Sequence, residues 1–110
     1  MKLHIYGALL AYKKRRSARF HMPGHKASRR WFRLFRDAAL DVTELSATDC
    51  LENPDGAIAE AQADIARLLG ARRSYILTDG ATAGVFALLY IGRKRGGKVL
   101  LSRNSHKSVE

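Results

Sequence analysis

Ile5, Leu9 and Tyr12 recur at helical spacing and lead into Lys13-Lys14-Arg15-Arg16. That pattern predicts an amphipathic helix from Ile5 to about Arg16, weakened at Gly7, with a cationic last turn that suits the negative end of the helix dipole. Phe20-His21-Met22-Pro23-Gly24-His25-Lys26 is a turn imposed by the Pro-Gly pair. Ser28 to Arg36 reads as a short helix capped by Ser28, with Trp31, Phe32, Leu34 and Phe35 as its apolar content. The acidic, turn-rich stretch from Asp41 to Gly56 predicts a long ordered loop. From Ala57 to Leu69 a helical face returns through Ile58, Ala61, Ile65, Leu68 and Leu69, and Gly70 is placed to end it in the left-handed conformation.

Beyond Gly70 the pattern changes. Ser74 to Thr78 reads as a buried strand, and Asp79-Gly80-Ala81-Thr82 as a sharp turn into an apolar helix from about Ala83 to Ile91. Gly96-Gly97 then turns into a second strand, Lys98 to Ser102, and Arg103 to Ser108 opens a further helix. Strand, turn, helix, strand, turn and helix start is the rhythm of a parallel α/β sheet. With two strands only, such a sheet is expected to be an incomplete domain, because its faces need helices on both sides.

Composition narrows the class. At 46% apolar and 27% charged residues, the 110-residue chain is ordinary for a soluble globular protein. One cysteine, Cys50, excludes an internal disulfide and suits a reducing compartment. The longest run free of charge and strong polarity, about Ala81 to Gly92, is too short to cross a bilayer, and the first residues lack the apolar core of a signal peptide. A cytoplasmic location and no membrane partner are therefore expected. The net charge of +10 is unevenly distributed: residues 1–36 carry 11 basic and no acidic side chains, residues 37–71 eight acidic and one basic, and residues 72–110 eight basic and two acidic. Such a chain could bind nucleic acid through phosphates, or could meet compensating acid elsewhere.

Four segments could carry chemistry. In Thr78-Asp79-Gly80-Ala81-Thr82-Ala83-Gly84 a strand end, a glycine turn and a helix N-terminus supply free N–H groups and one hydroxyl, which suits a phosphate; a plain helix cap would use the same residues. Arg103-Asn104-Ser105-His106-Lys107-Ser108 follows the next strand, so His106 could stack on a planar ring at the same sheet edge, or simply belong to a polar cap. His21 and His25 stand at i and i+4, but Pro23-Gly24 between them rules out one helical face and so a metal pair. Lys13 to Arg36, with Phe20, Trp31, Phe32 and Phe35 interleaved, could bind single-stranded nucleic acid or form a solvated helix end and subunit contact.

Taken in order, these motifs resemble the N-terminal part of the Orn/Lys/Arg decarboxylase family, fold-type-I enzymes that depend on pyridoxal 5'-phosphate. The resemblance runs through Tyr6, Leu9 and Tyr12, then Phe20-His21-Met22-Pro23-Gly24-His25-Lys26 and Asp41-Val42-Thr43-Glu44-Leu45. It continues with Asp49-Cys50-Leu51, Pro54, Gly56, Ile58 to Gln62, Leu69-Gly70-Ala71, Asp79-Gly80-Ala81-Thr82 and Arg103-Asn104-Ser105-His106-Lys107-Ser108. It implies a basic N-terminal arm and Pro-Gly-His-Lys loop over residues 1–36, and an incomplete start of the cofactor-binding α/β major domain over residues 37–110. The cofactor phosphate would fall to Thr82 and the backbone N–H groups of Ala81 and Ala83, and the pyridine ring to His106. The arm and the Pro-Gly-His-Lys loop would lie near a dimer interface and the active-site entrance.

Where the family usually has Asn-Gly-Ser or Asn-Gly-Thr, this chain has Asp79-Gly80-Ala81, and Val85 stands where an Asn is frequent. A carboxylate near a phosphate repels it unless it points away. The family's Schiff-base lysine lies beyond Glu110, so no catalytic residue is expected among these 110, and Lys107 belongs to the ring motif. The implied function is the N-terminal portion of a decarboxylase acting on arginine, lysine or ornithine, and its partners a basic amino acid and further copies of the chain in a homo-oligomer. Another reaction on the same cofactor, a non-catalytic remnant and a basic nucleic-acid-binding protein are the alternatives.

Overall fold

A computed structural model of the chain describes residues 2–32, 34–94, 96 and 98–109. It contains two compact units, Met1–Ser74 and Tyr75–Glu110.

In the first unit α1 spans His4–Lys14, α2 Arg29–Phe32 and α3 Ala57–Leu68. Helix α1 ends in Lys13 and Lys14, with Arg16 just beyond at φ 50°. Helix α3 stops as its sequence predicts. Gly70 takes φ 63°, the Ala71 N–H donates to the Ala66 carbonyl at 2.9 Å, and the Gly70 N–H donates to that of Arg67 at 3.3 Å. Those two bonds are the paired closure of a helix by a left-handed glycine. Helices α1 and α3 pack on each other. Among the described residues the buried apolar ones are Tyr12, Ala38, Ala39 and Ala66, and Thr48 and Asp49 are buried polar ones. Helix α2 is shorter than the Ser28–Arg36 helix expected; Arg33 and the side chains of Trp31 and Phe32 lie outside the described residues.

The second unit holds α4, Gly80–Lys94, and a 3-10 turn, Lys107–Val109, packed against it. The helix begins at Gly80 itself, at φ 70°, three residues before the predicted start. Arg103 to Ser108 forms turns and this short 3-10 segment instead of opening an α-helix. Gly96 turns at φ 70°, whereas Gly97 lies outside the described residues.

The expected α/β class, with its parallel-sheet portion of a fold-type-I large domain, is overturned. Among the described residues there is no strand, and the single ladder-like contact is an isolated antiparallel bridge between Leu45 and Asp49. Ser74 to Thr78 and Lys98 to Ser102 run as irregular chain, with Tyr75, Leu77, Val99, Leu100 and Leu101 exposed. The reason is that strand formation is non-local. Runs rich in Ile, Leu, Val and Tyr fit a pleated, half-buried surface, but without a ladder neighbour their backbone groups stay with water. Instead they meet α4 through side chains, at its glycines. A Cβ on Gly84 would lie 2.7 Å from Leu77 Cδ1, and one on Gly92 3.5 Å from Val99 Cγ2.

Candidate functional site

The first turn of α4 gathers three of the residues singled out from sequence. Helical geometry leaves the first four N–H groups without an intrahelical acceptor. Here they belong to Asp79, Gly80, Ala81 and Thr82, and no cap or loop acceptor among the described residues takes those of Ala81 or Thr82, whereas the Ala83 N–H is the first in register with a carbonyl one turn back, that of Asp79. Ala81 and Thr82 are exposed and Ala83 half-buried. The positive φ of Gly80 lets the chain enter the helix abruptly, and its missing side chain leaves open space beside the N–H groups. Such a terminus, with positive dipole and the Thr82 hydroxyl, is suited to an oxyanion. The neighbouring Asp79 is exposed, and its carboxylate accepts no hydrogen bond among the described residues.

His106 lies in the same unit, immediately before the 3-10 turn that packs on α4. Its ring is exposed. The Ser108 N–H donates to Nδ1 at 3.2 Å and Ser108 Oγ lies 3.0 Å from the same atom, which leaves the ring proton on Nε2. The loop before it is closed by Ser105, whose N–H and Oγ both donate to the Ser102 carbonyl, at 3.1 and 2.6 Å. No hydrogen bond joins His106 to Ala81, Thr82 or Ala83 among the described residues.

In the first unit, the Pro-Gly-His-Lys loop is tied down at several points. Tyr12 donates its hydroxyl proton to His21 Nε2 at 2.7 Å, while His21 Nδ1 donates to the Met22 carbonyl. Arg19 stacks 5.2 Å from the centre of the Tyr12 ring and donates to the Ala39 carbonyl at 2.8 Å. The Ala27 N–H donates to His25 Nδ1 at 3.0 Å, so His25 Nε2–H is the donor to Asp41 Oδ2 at 3.1 Å. Both histidines therefore have each ring nitrogen engaged with protein. The Thr43 N–H donates to the Met22 carbonyl at 3.2 Å and joins this loop to the next.

Two polar centres escaped the sequence reading. Asp49, at φ 73°, turns its carboxylate into a row of N–H donors. Oδ1 accepts from Cys50 at 2.8 Å and Asp55 at 3.1 Å; Oδ2 accepts from Gly56 at 2.9 Å and Ile58 at 2.8 Å. Burial by itself would raise the Asp49 carboxyl, but these N–H groups outweigh it and hold the carboxyl far below the usual carboxylate range. The other centre is His4, half-buried, with Nδ1 2.5 Å from Glu60 Oε2 and Nε2 2.8 Å from Asp64 Oδ2. The signal for the first was a bare Gly56 at a helix start that needs a cap from elsewhere. For the second it was an acidic i, i+4 pair on α3 with no basic partner at helical spacing for Glu60.

The motif order and this geometry can be compared with known proteins. The sequence profile of "Orn/Lys/Arg decarboxylase, major domain" matches residues 4–110. The chain belongs to the Orn/Lys/Arg decarboxylase family. The family resemblance drawn from the motifs therefore holds across both units. Among curated relatives, the Bacillus subtilis (strain 168) "Uncharacterized protein YaaO" is 36% identical over 114 residues, covering 99% of this chain and 24% of that protein. The arginine decarboxylase of Bacillus cereus is 32% identical over 111 residues, 96% of this chain and 24% of the relative. The constitutive lysine decarboxylase of Escherichia coli (strain K12) is 31% identical over 117 residues, 93% of this chain and 16% of the relative. The chain thus spans about a quarter of the length of the first two relatives. No solved structure matches it. Among the described residues no helix is long and apolar enough to cross a membrane.

Proposed function

We propose that this chain is the N-terminal portion of a pyridoxal 5'-phosphate-dependent decarboxylase of basic amino acids. The family match over residues 4–110 carries the proposal. Relatives named arginine decarboxylase and lysine decarboxylase support a basic amino acid as substrate. The lysine that carries the cofactor in this family is assigned to chain outside these 110 residues.

The donor set of the α4 N-terminus fits the cofactor's phosphate. In this reading the N–H groups of Ala81 and Thr82, with the Thr82 hydroxyl, bind its oxygens, and the Ala83 N–H stays with the helix. A phosphate there gains roughly 0.3–1 kcal/mol from the helix dipole, besides its hydrogen bonds. Asp79 opposes it unless its carboxylate stays turned to solvent. The exposed His106 ring offers a flat face to the pyridine ring, oriented by Ser108. The cofactor, when bound, supplies an electron sink for the pair left on the substrate as its carboxylate departs. The remaining assignments are a homo-oligomer with the arm of residues 1–36 near its interface, and residence in the cytoplasm.

The test is release of carbon dioxide from carboxyl-labelled arginine, lysine and ornithine by the protein purified from its source, with and without added pyridoxal 5'-phosphate. Cofactor-dependent release from at least one of the three is the expected result. No release from any of them, with the cofactor bound, would contradict the decarboxylase reading.

A further inference from the structure

His4 opens α1 and sits between two carboxylates of α3, Glu60 and Asp64, which lie one helical turn apart. A neutral imidazole has one N–H and can donate to only one of them. The other nitrogen then presents a lone pair to carboxylate oxygen at hydrogen-bonding distance, a repulsive contact. The ring satisfies both carboxylates only when it carries both protons. Among the described residues the charged groups facing it are few. Lys2 Nζ lies 4.0 Å from Glu60 Oε2, and Arg67 donates to Asp64 Oδ1. Both cations face solvent, with side chains 78% exposed, whereas the His4 side chain is 10% exposed and closes the contact. Hydrogen bonds from His4 first, and from Arg67, hold the Asp64 carboxyl below its usual range.

Little else holds the beginning of α1. Leu3, at its N-cap position, offers no side-chain cap, and the first turn contains no acidic residue. A protonated ring there opposes the positive end of the helix dipole, so α1 by itself gives His4 no reason to keep two protons. The apolar seam with α3 is open. Leu3, Ile5, Tyr6 and Leu9 line a groove of about 380 Å³ with Ala61 and Ile65, and Leu3 and Tyr6 remain exposed. Gly7 follows directly, with no neighbour within 4 Å of a Cβ placed there, and glycine costs helical stability at that point. The far end of α1, by contrast, is anchored through Tyr12 to His21 and Arg19.

We propose that the first turn of α1 is a proton-controlled latch: the doubly protonated His4 ring pins it to Glu60 and Asp64 of α3, and loss of one ring proton frees it as far as Gly7. The latch is independent of the decarboxylase reading.

The experiment is amide hydrogen exchange of the full chain between about pH 5.5 and 8.5, where histidine ordinarily titrates, corrected for the intrinsic pH dependence. The Gly7 N–H, which donates to the Leu3 carbonyl at 2.7 Å, reports the latch directly. Its protection is expected to fall about tenfold as pH rises, the scale of one charge-assisted hydrogen bond, while protection at Tyr12 stays level. In His4→Gln the fall should disappear. Protection at Gly7 that is flat with pH in the unaltered protein, or that falls equally in His4→Gln, would overturn the proposal. Should His4→Gln not fold, nitrogen chemical shifts of the His4 ring followed over the same pH range decide: Gly7 protection that falls as the ring loses its second proton supports the latch, and protection that persists after that loss refutes it.

Discussion

The Asp49 carboxylate caps α3 across the side-chain-free Gly56, accepting its N–H at 2.9 Å and that of Ile58 at 2.8 Å. Helix α3 has no capping side chain at its own N-cap, so a residue seven positions earlier takes that role. A Cβ at Gly56 would touch Asp49 Cγ and Oδ2 at 3.5 Å, an ordinary contact, so the carboxylate's reach does not depend on the missing side chain. Asp49→Asn keeps a residue that tolerates positive φ but turns an amide NH2 toward N–H donors. It should destabilise the fold by about 2–3 kcal/mol, the scale of losing hydrogen bonds to a charged group. Thermal or urea unfolding measures it, with loss of helicity in α3 as the local sign.

The same carboxylate sets a pH limit. Because folding lowers its pKa, its contribution is complete above about pH 4, the unfolded carboxyl value, and declines as pH falls below that toward its native value. Unfolding followed from about pH 5 to 2 should show stability dropping through this window, more steeply than in Asp49→Asn. Parallel curves for the two proteins would remove Asp49 from that role.

Gly70 gives a separate test. Its φ of 63° is strained for any residue with a Cβ, although nothing lies within 4 Å of that position. Gly70→Ala should therefore cost about 1 kcal/mol through backbone strain alone, without disturbing packing. Denaturant unfolding with an unchanged slope but a lower midpoint is the expected outcome.

Features set within one stretch of chain were legible in sequence. The helix of α3 and its stop at Gly70 follow from side-chain period and from the left-handed conformation that glycine alone adopts freely. The cationic end of α1 is equally local. What escaped depends on partners far along the chain. Strands at 74–78 and 98–102 need ladder neighbours, and here Leu77 and Val99 meet α4 at Gly84 and Gly92 instead. His4 reaches Glu60 and Asp64 across 56 and 60 residues, a pairing that no local spacing announces. Around the residues proposed to hold the cofactor, the glycine turn and helix start were legible, though the helix begins at Gly80 and not at Ala83. The exposed His106 was named from its motif, but its orientation by Ser108 depends on the 3-10 turn.

His106→Ala tests the ring contact. In the cofactor-binding protein it should weaken pyridoxal 5'-phosphate and pyridoxal alike, by several-fold, with unchanged unfolding, since aromatic pairs contribute about 0.5–1.5 kcal/mol. Equilibrium titration by cofactor fluorescence measures both affinities. Unchanged affinity for both would exclude stacking on His106.

The most direct measurement is that titration repeated on Thr82→Val, with pyridoxal 5'-phosphate and with pyridoxal side by side. Valine keeps the shape of the side chain and removes the hydroxyl, so about 1 kcal/mol of hydrogen bonding to the phosphate disappears. The predicted result is an affinity about fivefold weaker for pyridoxal 5'-phosphate and unchanged for pyridoxal. Equal loss for both, or no loss for either, would contradict the assignment of the cofactor phosphate to the first turn of α4.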